Sequence, residues 1–66
     1  MVKKSRPANI LLIEDNPGDV RLTQEAFKEG RVPINLDVTM DGVEAIKYLR
    51  KQEKYVDART PDLILL

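Results

Sequence analysis

Ile10-Leu11-Leu12-Ile13-Glu14-Asp15-Asn16-Pro17-Gly18 is the stretch whose reading decides the fold. An apolar run this short does not fill a helix, and it breaks at once into acids and turn formers. Continuous apolarity closed by turn residues predicts a strand buried on both faces, as in a parallel sheet. Asn16 suits an N-cap, and Pro17 fits the first helical position, where its missing N–H costs nothing. Asp19 in the first turn complements the helix dipole. Beyond it, Val20, Leu22, Thr23, Ala26 and Phe27 fall on one helical arc, with Arg21, Gln24, Glu25 and Lys28 on the other. Gly30 is the expected C-cap.

Working outward, Ile34-Asn35-Leu36-Asp37-Val38-Thr39 alternates apolar and polar residues, which predicts a strand with one well-buried face at a sheet edge. Asp41-Gly42-Val43-Glu44 opens a second helix, with Asp41 as N-cap and Glu44 completing an Asp version of the capping box. Val43, Ala45, Ile46 and Leu49 share a face of this helix, opposite Glu44, Lys47 and Lys51. A polar stretch over 52–60 then leads through Pro61-Asp62 to Leu63-Ile64-Leu65-Leu66, a second strand expected to be buried on both faces. The alternation predicts an α/β fold: a βαβαβ unit with right-handed crossovers, a parallel sheet of strand order 2-1-3, and helices on both faces. Residues 1–8 read as an N-terminal tail and 9–66 as the folded unit.

The composition narrows the function. With 11 basic and 11 acidic residues the net charge is zero, which argues against a nucleic-acid or anionic-membrane binder. Lys3, Lys4 and Arg6 form the only basic cluster and read as a solvated tail. The chain has no Cys and no His, so it has neither a disulfide nor an ordinary zinc site. No apolar run reaches membrane-spanning length, and a cytoplasmic location is the default expectation. At 66 residues the chain buries only about 60% of the surface its unfolded form exposes, and its stability is expected to be marginal.

Ligands of open α/β sheets bind beyond the carboxyl ends of the strands, where the strand order reverses. Glu14 and Asp15 stand at that end of the first strand. Two adjacent carboxylates would repel a bare phosphate, but they make sense with a hard cation between them and a phosphoryl group. Mg²⁺ takes one or two carboxylates, keeps several waters, and fills its other positions with phosphate oxygens. Asp15 is the expected direct ligand, with Glu14 acting through water. The alternative is that both are turn acids capping the first helix. Asp62 begins the third strand while Asp15 follows the first, so it is too far away to share a small ion. Asp19, Asp37 and Asp57 read as solvated surface acids, and Tyr48 and Tyr55 as packing residues. There is no Gly-x-Gly-x-x-Gly or Gly-Lys-Ser/Thr loop, no run of N–H donors suited to a flavin phosphate, and no His to act as a base.

Three blocks carry a family resemblance: Ile10 to Pro17, Asp41 to Ala45 (Asp-Gly-Val-Glu-Ala), and Pro61 to Leu66 (Pro-Asp-Leu-Ile-Leu-Leu). In this order and spacing they resemble the N-terminal half of response-regulator receiver domains. The Asn16 to Thr23 run and the long segment before Pro61 resemble stand-alone regulators that partner phytochrome-type histidine kinases. The resemblance implies a flavodoxin-like fold and a signalling module rather than an enzyme. Its aspartate would accept a phosphoryl group from a sensor histidine kinase with Mg²⁺, and Glu14 and Asp15 would be the acidic pair that holds the metal. The family's acceptor directly follows the apolar run that here reaches Leu66. The 66 residues alone are therefore expected not to form a stable monomer, and a homodimer or swapped assembly would supply missing strands. A receiver-like interaction module without phosphotransfer is the competing reading.

Overall fold

The structure, a computed structural model, describes residues 6–66. Residues 1–5 of the expected tail lie outside the described residues, and Ala8 already belongs to the first strand. The elements are β1 (Ala8–Ile13), α1 (Pro17–Gly30), β2 (Ile34–Thr39), α2 (Gly42–Leu49), a short 3-10 turn (Glu53–Tyr55) and β3 (Leu63–Leu65). Both pairings are parallel, and the sheet order is β2-β1-β3.

The apolar run of β1 is the centre of the molecule. Ile10, Leu11 and Leu12 are buried, Leu11 completely. Leu11 packs with Ala45 and Tyr48 of α2, and Ile13, Tyr55 and Ala58 close around them. The register aligns Ile10, Leu36 and Leu63 across the sheet. Aligned residues of parallel strands point to one face, here the face under α1.

The N-cap signals of both helices hold. Asn16 Oδ1 accepts from the backbone N–H groups of Gly18 (2.8 Å) and Asp19 (3.2 Å), and Asp41 Oδ1 accepts from that of Glu44 (2.8 Å). Several expectations are corrected. The C-cap of α1 is Arg31 at φ 56°, with Gly30 still helical, so the left-handed position falls on a residue with a Cβ. Glu44 does not complete a capping box. Its carboxylate instead meets Tyr55 Oη (2.7 Å), Lys47 (3.6 Å) and Lys54 (3.9 Å). The buried face of α2 is Ala45 and Tyr48, while Val43, Ile46 and Leu49 are exposed. β3 is not buried on both faces: Leu63 and Ile64 are exposed, and no strand among the described residues pairs with its outer edge.

Candidate metal centre

Glu14 and Asp15 leave the sheet directly after β1, and the Glu14 N–H still donates to the carbonyl of Thr39 at the end of β2 (2.9 Å). The chain then bends through Asp15 and enters α1 at Pro17. Glu14 Oε2 accepts from the backbone N–H of Asn16 (3.1 Å), which folds that side chain over the turn. A Cβ on Gly18 would lie 3.1 Å from Asn16 Oδ1, so glycine lets the capping side chain approach closely. Below the pair is a shallow apolar depression formed by Val20, Val38 and Met40.

Asp15 is exposed and has no hydrogen-bond partner among the described residues, and only one oxygen of Glu14 is engaged. Carboxylate oxygens open to water are the donors a hard cation requires, and water would complete the coordination. The pair therefore fits Mg²⁺ chemically. Among the described residues no group of three or more acidic, His or Cys side chains gathers to hold a metal. Thr39 lies buried beside this end of the sheet, and its Oγ1 has no partner among the described residues.

Asp62 lies at the opposite end of the sheet. Its Oδ2 accepts from the Asn9 N–H (2.7 Å), its own N–H donates to the Asn9 carbonyl (2.6 Å), and Arg6 pairs with it at 3.3 Å. Asn9 precedes Glu14 by five residues, roughly 16 Å at ~3.3 Å per residue. Asp62 is thus remote from the pair, as the sequence indicates.

Asp37 is not the solvated acid expected. Its Oδ2 accepts a hydrogen bond from Tyr48 Oη, and Arg59 reaches its Oδ1 at 3.5 Å. Burial, then the hydrogen bond to Asp37, pushes the Tyr48 phenol up to about 12. Tyr55 stacks on Tyr48 with ring centroids 5.5 Å apart, and its hydrogen bond to Glu44 raises it to about 12 as well. That bond is also the main cause that lowers the Glu44 pKa. Together these contacts fasten the 50–60 segment to α2 and β2. The sequence signal for them was weak, because Asp37 and Arg59 are 22 residues apart.

No family model matches the chain. The response regulator Rcp1 of Synechocystis sp. is 40% identical over 60 residues, which cover 91% of this chain and 41% of that protein. A solved structure of the phosphorylated cyanobacterial phytochrome response regulator RcpA superposes with a TM-score of 0.82 at 47% identity, covering 91% of this chain and 43% of that one. The chain therefore spans about two fifths of the length of these relatives. It resembles response-regulator receivers along most of its own length, and its three-stranded sheet matches a fragment of their flavodoxin-like fold.

Proposed function

We infer that this chain, similar over most of its length to response regulators, forms the metal-holding part of a receiver module in two-component signalling. The observation that carries the reading is the register of the sheet. Leu65 lies beside Leu12, so a residue placed one beyond Leu66 would lie level with Glu14. A carboxylate at that position in a longer polypeptide would meet the acidic pair in the crevice between β1 and β3, where open α/β sheets bind their ligands.

Glu14 and Asp15 would hold Mg²⁺, which supplies positive charge between the carboxylates and the oxygens of an incoming phosphoryl group. Asp15 projects from the bend with both oxygens free and would be the direct ligand. Glu14, with one oxygen held by the Asn16 N–H, would act through a bound water. The Asn16 cap holds the turn that carries both acids in place. The proposed phosphoryl donor is a sensor histidine kinase of phytochrome type, the kind of system named for the RcpA relative.

Mg²⁺ titration, followed through the amide signals of Glu14 and Asp15, tests the reading. Binding should weaken more than tenfold in Asp15→Ala. An unchanged affinity would return the pair to the role of turn acids.

A further inference from the structure

β2 is the outermost strand on the side away from β3, and its outer edge has no partner strand among the described residues. Its backbone polarity follows from two bonds: the Ala8 N–H donates to the Pro33 carbonyl (3.2 Å), and the Glu14 N–H to the Thr39 carbonyl (2.9 Å). Backbone groups of successive strand residues point to alternate sides, so Pro33, Asn35, Asp37 and Thr39 face β1. The N–H and C=O groups of Ile34, Leu36 and Val38 therefore face outward.

The side chains of the same residues lie under α1. Ile34 and Leu36 join Phe27, Lys28 and Val32 around a groove of about 320 Å³ between α1 and this edge. Val32 is 59% exposed at its mouth. Lys28 is the groove's one charged residue and takes part in none of the ion pairs among the described residues. The backbone edge and the apolar groove thus address the same occupant. β2 also lacks the features that usually blunt an edge: it carries no Lys or Pro and no bulge, and its one charge, Asp37, is engaged on the α2 side.

We propose that the outer edge of β2 receives an extended peptide segment of a partner protein as an added strand. Its backbone pairs with Ile34, Leu36 and Val38, one apolar side chain enters the groove against Phe27 and Val32, and a carboxylate meets Lys28. Main-chain bonds supply most of the affinity in such complexes and side-chain pockets supply the choice of partner. Charge selects here: an acidic peptide suits Lys28, which has no ion-pair partner among the described residues. The site lies on the side of the sheet away from β3, and its groove shares no lining residue with the depression under the acidic pair.

The test uses the folded chain, as judged by dispersed amide signals, and a synthetic capped pentapeptide, Thr-Val-Thr-Glu-Thr, whose Val and Glu share one face, with those signals as the readout. Peptide should shift Ile34, Leu36, Val38 and Phe27 while leaving Glu14 and Asp15 in place, and Lys28→Glu should weaken binding about five- to tenfold. A peptide N-methylated at alternate amides on the bonding side should not bind. The proposal is overturned if no shifts appear at millimolar peptide, or if the N-methylated peptide binds equally well. It is also overturned if the same signals move with protein concentration alone, which would mark the edge as a contact between two copies. Failure of Mg²⁺ binding at Glu14 and Asp15 would leave these outcomes unchanged, so the two readings are tested separately.

Discussion

Replacing Tyr48 by Phe removes one hydroxyl and leaves the ring packed on Leu11 and Ala45. The lost bond runs from the phenol to the Asp37 carboxylate, and hydrogen bonds to charged groups are worth roughly 1.5–3 kcal/mol. Asp37 keeps Arg59, and its side chain is 34% exposed, so water can replace the missing donor. The low end applies, a loss of about 1.5 kcal/mol. Linkage provides a second route. A phenol raised from 10.0 to about 12, first by burial and then by its bond to Asp37, makes its ionisation cost the fold at most about 3 kcal/mol, at ~1.36 kcal/mol per pH unit. The folded-state pKa is the higher one, so this stability is complete below pH 10 and is lost as pH rises through 12. Urea unfolding followed by far-UV circular dichroism should therefore show Tyr48→Phe about 1.5 kcal/mol less stable than the parent at pH 8. The gap should close between pH 10 and 12, because the variant has no phenol at this position to ionise. A double-mutant cycle with Asp37→Ala should return about 1 kcal/mol of coupling. Equal stabilities at pH 8, or a gap that ignores alkaline pH, would refute the reasoning.

Three further outcomes follow from local geometry, each read as a shift in the urea midpoint. Thr39→Val removes a buried hydroxyl that has no partner and keeps its shape, so stability should rise by about 0.5–1 kcal/mol. Asn16→Ala deletes both capping bonds at the start of α1 and should cost about 1 kcal/mol. Arg31→Gly relieves a left-handed backbone at φ 56° and should stabilise by roughly 1 kcal/mol.

What could be read from the sequence was what neighbours along the chain decide. The β1 run, the Asn16-Pro17 start of α1 and the Asp41 cap depend on adjacent residues, and each is where the pattern placed it. The order β2-β1-β3 also followed, because alternating polarity marks an edge strand and a continuous apolar run marks a central one. The buried side of α2 could not be read this way. Periodicity finds an apolar arc through Val43, Ala45, Ile46 and Leu49, but only a partner surface decides which part is covered, and in this structure Ala45 is buried together with Tyr48 while the other three are exposed. The bonds of Tyr48 to Asp37 and of Tyr55 to Glu44 each span 11 residues and join different elements, so no local pattern announces them. Gly30 misled because glycine is the usual left-handed cap, while Arg31 takes the conformation here.

Asp62 and the Glu14–Asp15 pair sit at opposite ends of one sheet, and the bonds divide unevenly between them. One end is knotted: Asp62 holds Asn9 through both its side chain and its backbone, and Asn35 Nδ2 donates to Asn9 Oδ1 at 3.0 Å. At the other end the acid side chains are left largely open to water. An exhaustive substitution library would thus sort by position along β1. Changes near Asn9 would lower the amount of folded protein in every assay alike, whereas changes at Asp15, which makes no hydrogen bond among the described residues, would leave that amount intact. The strand separates heritable risk to folding from freedom to vary in chemistry, one at each tip.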